Sequence, residues 1–305
     1  MDSATNPLEI SARPGSSPLR EYRAFLVFLI VLILLFALPL ITLCSYAFSN
    51  SFYSHIFLIP FISAYLVRQN LSLPAVCRGS SVLAGSLFVV GLLALLLYFG
   101  LTASEEAIST NDYLSCTMFG FVCFLLAGCE FFLGRNFIRQ FLFPLTFLFF
   151  IVPFPEAVTN GLEISFQHAS AEVYSWLMNL SRASYFRQGL IFALPNLTIR
   201  VAQECSGIRS SFVLFITSLI AGFLFLRSPW HRAIFSIIVL PLGVLRNAIR
   251  IYFLSMASVH WNPNIIHSPL HHRGGPIFFA LSLIPLFLLL FWFRKAEAKQ
   301  SVPES

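Results

Sequence analysis

Long uninterrupted runs of apolar residues limit most strongly what this chain can fold into. Eight runs reach or approach the roughly 17–25 residues that cross a bilayer as a helix. They cover residues 24–44, 52–67, 81–101, 113–133, 138–154, 208–226, 233–257 and 276–293. Only 10% of the 305 residues are charged, whereas soluble domains carry about 25%. The pattern excludes an ordinary soluble enzyme and predicts an all-α, polytopic helical membrane protein with about eight transmembrane helices.

Segments that contain basic residues alternate along the chain with segments that contain none, as expected for repeated membrane crossings. The basic residues precede the first span, follow the second and fourth, separate the sixth from the seventh and close the chain: Arg13, Arg20, Arg23, Arg68, Arg78, Arg135, Arg139, Arg227, Arg232, Arg294, Lys295 and Lys299. Segments 45–51 and 102–112 contain none. Because basic segments stay in the cytoplasm, we expect both termini there and segments 155–207 and 258–275 outside.

This topology predicts a simple division of the chain. Residues 1–20 and 298–305 are expected to be cytoplasmic polar tails, and 21–297 a single transmembrane domain in contact with membrane lipid. The formal net charge of +6 comes mainly from residues that flank spans. No basic run is interleaved with aromatic residues, so we expect no nucleic-acid partner.

Residues 155–207 form the one sizeable segment between two predicted spans. Apolar residues recur there at helical spacing: Val158, Leu162, Phe166, Ala169, Val173, Leu177 and Leu180. The opposite positions include polar residues: Glu163, Gln167, Ser170 and Glu172. This pattern predicts an amphipathic helix at the outer interface or against the bundle. Two short β-rich runs flank Pro195 and Asn196 and predict a short hairpin.

A cysteine with polar neighbours lies where this hairpin leads into the sixth span. The sequence reads Glu204-Cys205-Ser206-Gly207-Ile208-Arg209-Ser210. A thiol at a helix N-terminus feels the positive end of the helix dipole, which favours the thiolate. Gly207 allows close backbone approach, and the N–H groups of the helix start can hold an oxyanion. The other five cysteines are interpreted as small apolar residues: Cys44, Cys77, Cys116, Cys123 and Cys129.

Two arginines and an asparagine lie deep in the seventh span. Arg246, Asn247 and Arg250 occupy neighbouring faces of one predicted helix, near the outer end of the span. Charged residues in a membrane are rare unless they face the protein interior or a cavity. The alternatives are snorkelling to outer headgroups and a structural ion pair with Glu204.

Histidines precede the last span, again on the predicted outer side. His267, His271 and His272 lie in one short segment, and histidine exchanges protons near neutral pH. These residues and His260 lack zinc-like spacing with cysteine, so we expect no metal. Together, the three regions suit covalent acyl transfer. Cys205 would attack a carbonyl, His271 would exchange protons, and Arg250 would stabilise the thiolate or oxyanion. Such a thiol mechanism needs no cofactor.

The order and spacing of these motifs resemble the exosortase/archaeosortase family. The matching residues are the Glu204–Ser210 motif, Asn247 to Arg250, and His271 four residues before Gly275. The turn from Pro153 to Glu156 and the segment around Ser54 and His55 are also similar to that family. The resemblance covers roughly residues 50–293.

The resemblance implies an intramembrane cysteine peptidase of the bacterial inner membrane, with its active site facing the periplasm. Such enzymes process exported proteins that end in a short motif such as Pro-Glu-Pro, a spanning helix and a basic tail, in a sorting pathway linked to exopolysaccharide. The nucleophile, arginine and histidine positions match Cys205, Arg250 and His271. Arg246 and His272 are alternatives for two of these roles. The remaining supporting residues are Glu204, Gly207, Arg209 and Asn247. The acceptor of the acyl group is water or an amine.

Three other functions are compatible with parts of the pattern. A transporter or channel would bind an anion at Arg246 and Arg250. A lipid- or glycan-modifying membrane enzyme would not need Cys205 as a nucleophile. A non-catalytic scaffold of polysaccharide assembly would tolerate substitution of Cys205, Arg250 and His271.

Overall fold

The computed structural model describes residues 18–69, 81–102, 109–195, 197–203, 206–261 and 275–300. It divides into two compact units, Met1–Phe154 and Pro155–Ser305. Within the described ranges five helices are long and apolar enough to cross a membrane, or up to seven segments if two bent helix pairs each count as one span. The all-α polytopic membrane architecture is confirmed; the count of eight spans stays a prediction.

The first unit is built from seven α-helices within its described ranges. They are α1 (Pro18–Leu35), α2 (Ala37–Ser49), α3 (Leu58–Gln69), α4 (Ser81–Thr102), α5 (Thr110–Gly128), α6 (Arg135–Gln140) and α7 (Leu142–Phe147). A 3-10 helix, Ser51–Phe57, precedes α3, a π-helical turn, Cys129–Leu133, extends α5, and a second 3-10 helix, Leu148–Ile151, follows α7.

Three predicted spans of this unit are interrupted. The run 24–44 is divided between α1 and α2, which are bent by 65° relative to each other. The run 52–67 becomes a 3-10 helix and the 12-residue α3, which is only about 18 Å long at 1.5 Å per residue. The run 138–154 is divided among α6, α7 and a 3-10 turn. Buried hydroxyls bind carbonyls in these broken segments: Ser63 Oγ donates to Pro144 O at 2.8 Å, and Ser115 Oγ to Pro153 O at 2.7 Å. Hydropathy detects the apolar runs but not these breaks.

The second unit contains four α-helices and three strands within its described ranges. They are α8 (Glu156–Leu180), β1 (Phe186–Gln188), β2 (Ile191–Leu194), β3 (Leu197–Arg200), α9 (Ile208–Phe225), α10 (Pro229–His260) and α11 (Gly275–Gln300). The strands form one antiparallel sheet in the order β1-β2-β3. The predicted hairpin is therefore present as β2 and β3, and the sequence analysis missed β1.

Helix α8 packs differently from the predicted amphipathic pattern. Its apolar positions Val158 and Leu180 are exposed, whereas the polar Gln167 and Ser170 are buried. Tyr174 on the same side packs with Phe192 of β2 and Ala248 of α10 in an apolar cluster. The buried side of the helix is therefore mixed: Tyr174 packs among apolar residues, and Gln167 and Ser170 find hydrogen-bond partners in the protein.

The turn from α9 into the start of α10 carries Arg227 and Arg232 and contacts the C-terminal part of α11. Glu297 of α11 accepts hydrogen bonds from the N–H groups of Arg227 and Ser228, at 2.8 and 2.9 Å. The guanidinium of Arg294 lies 5.7 Å from the ring centroid of Phe225.

Candidate active site

The chain between β3 and α9 is fastened to helix α8 by its side chains. Gln167 Nε2 donates to the carbonyl of Val201 at 2.6 Å, and Gln203 Nε2 donates to Glu163 Oε2 at 2.8 Å. Gln167 is buried. These contacts fix the described chain up to residue 203, two residues before the predicted nucleophile.

Gly207 opens α9 in a conformation that suits glycine. Its φ is +75°, and it precedes the helix as the N-cap. A Cβ added at this position would lie 2.6 Å from Cγ of Asn247, which no ordinary contact allows. Gly207 therefore both turns the chain into the helix and lets α10 approach the backbone. The first N–H groups of such a helix have no intrahelical acceptor.

A relay of buried polar groups joins three segments at this point. Asn247 Nδ2 donates to Ser170 Oγ at 3.0 Å, and Ser170 Oγ donates at 3.5 Å to the carbonyl of Ser206. Asn247 is 2% exposed and Ser170 is fully buried. The residue that follows Cys205 is thus linked to both α8 and α10.

Arg246 fastens α10 to the first turn of α9. Its Nη2 donates to the carbonyl of Gly207 at 3.3 Å and to the hydroxyls of Ser210 and Ser211. The same carbonyl accepts from Ser211 Oγ at 2.9 Å. Arg246 is 9% exposed; its Nη2 holds the start of α9, whereas its buried Nη1 has no hydrogen-bond partner among the described residues.

Arg250 lies one helical turn beyond Arg246 on α10 and is half-buried. Arg209 is exposed in the first turn of α9. The described part of the site therefore gives the two intramembrane arginines different surroundings: Arg246 is enclosed by α9, and Arg250 is more accessible.

Four of the predicted site residues lie outside the described residues: Glu204, Cys205, His271 and His272. The described residues immediately before and after the first two are Gln203 and Ser206, both held as given above. Cys44, Cys116, Cys123 and Cys129 are free thiols, and the last two are buried. Among the described ranges, no three His, Cys, Asp and Glu side chains come together as a metal site would require.

Several residues of this site were missed by the sequence analysis or given another role. The sequence pattern places Gln167 and Ser170 on the polar side of an amphipathic helix, whereas in the structure they bind the chain beside residues 204–205. Ser211 and Gly243 were not singled out, although a Cβ on Gly243 would lie 2.7 Å from Cβ of Ser211. The spacing of Gly207 with Ser211 and of Gly243 with Asn247 is the signal of close helix packing that could have revealed them.

The comparison with known families decides the assignment. The family described as transmembrane exosortase matches residues 47–288. The chain belongs to the transmembrane exosortase family. No curated protein and no solved structure matches the chain. The family match and the apolar helices together show that the chain is a membrane exosortase. Exosortases are generally cysteine peptidases or transpeptidases.

Proposed function

We propose that this exosortase cleaves the C-terminal sorting signals of exported proteins through a Cys205, Arg250 and His271 site. The signals would consist of a short motif, a transmembrane helix and a basic tail. The enzyme would lie in the bacterial inner membrane with both termini in the cytoplasm. Its active site would face the periplasm and serve sorting linked to exopolysaccharide.

The proposed chemistry is acyl transfer through a thioester. Cys205 gives its proton to His271 and attacks the scissile carbonyl, and Arg250 with the N–H groups of α9 stabilises the oxyanion. The C–N bond then breaks, and His271 returns the proton to the leaving amine. Water or an acceptor amine attacks the thioester, which releases an acid or a new amide and restores the thiol.

One observation supports this proposal most strongly. Ser206, on one side of residues 204–205, is held by buried polar contacts from Ser170 on α8 and, through Ser170, from Asn247 on α10, and Gln203, on the other side, is held by a partly buried hydrogen bond to Glu163. Buried polar groups in a membrane protein are expensive and mark functional sites. A structural cysteine in an apolar helix would not need such a fixed polar surround.

The contacts of Arg246 also argue against the main alternative function, an anion transporter. An anion transporter would need both deep arginines to face the transported anion. Arg246 instead donates to one carbonyl and two hydroxyls of α9. These Nη2 contacts favour a role for Arg246 in positioning the helix start, and we assign the catalytic role to Arg250.

A processing assay in membranes tests the proposal. A reporter that ends in Pro-Glu-Pro, an apolar helix and a basic tail is coexpressed with the full chain, and its C-terminus is followed by gel shift and mass spectrometry. We expect cleavage with the unaltered chain and none with Cys205→Ala, Arg250→Ala or His271→Ala. Cys129→Ala is the matched control, because Cys129 is a buried free thiol to which the proposal assigns no role, and it should cleave normally.

The products separate the two fates of the thioester. An added mass on the new C-terminus would demonstrate transfer to an amine, and an unmodified carboxylate would demonstrate hydrolysis. Equal cleavage with Cys205→Ala would contradict the assigned nucleophile. Absence of cleavage by the unaltered chain, with both proteins present in the membrane, would contradict the proposed substrate.

A further inference from the structure

The register of the small sheet shows which backbone groups of β3 point away from it. Phe192 pairs with Ile199 and Leu194 with Leu197, and Val201 N donates to Leu190 O at 3.0 Å. In an antiparallel ladder, alternate residues direct both N–H and C=O to the partner strand. Leu197, Ile199 and Val201 therefore face β2, and the N–H and C=O groups of Thr198 and Arg200 face the outer edge.

The side chains of these two residues are accessible on one face of the sheet. Thr198 and Arg200 are exposed, whereas the intervening Ile199 is half-buried against the apolar cluster with α8 and α10. In the part of the chain that the structure describes, β3 is an edge strand. An extended partner can thus reach its backbone without displacing the core.

The surroundings of the sheet place this edge at the membrane surface. Open sheet edges are not found in hydrocarbon, because their N–H and C=O groups would stay unsatisfied. Helix α10 has 32 residues and is about 48 Å long at 1.5 Å per residue, more than the bilayer core of about 30 Å. Its second half, which includes Ile251 and Met256, packs against the sheet.

The edge leads directly to the proposed nucleophile. Cys205 follows Arg200 by five residues, a span of at most about 18 Å in an extended chain. Gln167 fixes the first of these residues through the carbonyl of Val201. A peptide lying along β3 would therefore end close to the residues that the proposed function assigns to chemistry.

We propose that the exosortase binds the residues that precede its scissile bond as a fourth strand, parallel to β3, on the edge formed by Thr198 and Arg200. This inference rests on the proposed function. Main-chain hydrogen bonds supply the binding, and pockets for alternate side chains supply selectivity. The parallel direction follows from the substrate's form: its extended residues lie outside the membrane along β3, and its apolar helix enters the bilayer beyond Cys205.

Disulfide crosslinking tests the strand and its direction. Thr198→Cys and Arg200→Cys are made separately in the full chain with Cys205→Ala, so that bound reporter is not cleaved. Single cysteines are scanned through the reporter residues that precede its cleavage site, and membranes are oxidised mildly. Side chains alternate between faces along a strand, so crosslinks should form at every second reporter position. The best partner of Arg200→Cys should lie two residues nearer the scissile bond than that of Thr198→Cys.

Gln188→Cys provides the matched control. Gln188 is exposed and aligned with Arg200 across the sheet through Ile191, but it lies on β1, the opposite edge. It should crosslink no better than the chain that carries Cys205→Ala alone. Melting temperatures in detergent check that each variant is folded.

The outcomes separate this inference from the function on which it rests. Cleavage by the unaltered chain together with the alternating, shifted pattern supports both. Cleavage without crosslinks, with crosslinks at successive positions, or with equal crosslinking from Gln188→Cys overturns the edge-binding inference alone. A pattern shifted two residues in the other direction overturns the parallel arrangement. Failure of the unaltered chain to cleave the reporter overturns both proposals.

Discussion

Helix pairs α4–α5 and α9–α10 both pack closely at glycine residues, but the groups that meet there differ. In the first pair Gly91 and Gly120 face each other: a Cβ on either would lie 3.2 Å from the carbonyl oxygen of the other. The neighbouring groups there are apolar, such as Phe124 and Cys123. In the second pair the close contacts are Gly207 with Asn247 and Gly243 with Ser211.

The difference lies in what the close approach brings together. Van der Waals packing of small residues is sufficient to join membrane helices, and α4–α5 shows that this chain uses it. The α9–α10 contact adds Arg246, Asn247 and two serines to the interior, where polar groups are costly unless paired. The polar contact therefore indicates a site, whereas the apolar contact indicates structure.

The largest combined effect, on stability and on cleavage together, is expected from Gly207→Ala. The new Cβ would overlap Asn247, and a left-handed conformation costs about 1–2 kcal/mol for a residue other than glycine. The helix start would shift, and misplacement of about 1 Å lowers rates about 100-fold. Reporter cleavage per folded enzyme should fall by about that factor.

Gly189→Ala is the control for backbone strain in this prediction. Gly189 also has a positive φ, +60°, but a Cβ there has nothing within 4 Å. It should lower the melting temperature slightly and keep most cleavage. Equal loss from the two substitutions would show that strain, and not the contact with Asn247, is responsible.

The two arginines of α10 should respond differently to replacement by lysine. Arg250→Lys should lower cleavage about 100-fold or more, as for loss of one oxyanion donor, with little change in melting temperature. Arg246→Lys should lower stability by about 1.5–3 kcal/mol through loss of charged hydrogen bonds, with a smaller fall in cleavage per folded enzyme. The reverse pattern would assign Arg246 to catalysis, and thermal melts combined with cleavage rates decide between them.

A smaller, coupled effect is expected at the polar relay. Ser170→Ala and Asn247→Ala should each destabilise the protein by about 1–3 kcal/mol, because a buried partner loses its hydrogen bond. The double variant should be less destabilised than the sum by about 0.5–1 kcal/mol, since both substitutions remove the same bond. Additive losses in denaturation would contradict a direct contact.

The smallest effect on cleavage is expected at the apolar pair. Gly91→Ala places a Cβ 3.0 Å from Phe124 Cε1, a tight contact that costs about 1–3 kcal/mol of stability as overpacking. Cleavage per folded enzyme should stay unchanged, because this contact serves packing alone. A selective loss of cleavage without a change in melting temperature would break the distinction between the two helix pairs.

The sequence predicts the membrane class and the approximate ranges of five long helices well. Apolar runs such as 81–101 and 208–226 are long and uninterrupted, so hydropathy alone detects them. It fails for 52–67 and 138–154, where 3-10 turns and internal carbonyl partners break an equally apolar run. It also fails for β1, which has only three residues.

For the candidate site, the sequence predicts the local motifs but not their partners. Gly207, Asn247 and Arg246 were singled out from single motifs, and the structure brings these three together. Gln167 and Ser170 were assigned to an outward polar face, because helical periodicity shows that a face exists but not what it packs against. Their partners lie about 34 and 36 residues further along the chain, beyond any local pattern.

Trapping the thioester tests the central claim most directly. The full chain is incubated in membranes with the reporter, quenched in acid and examined by mass spectrometry for a peptide that contains residue 205 joined to the reporter's acyl fragment. We predict an adduct at Cys205 that hydroxylamine removes and that is absent from Cys205→Ala. Continued cleavage by Cys205→Ala, or an adduct on a different residue, would contradict the assignment of this helix start as the active site.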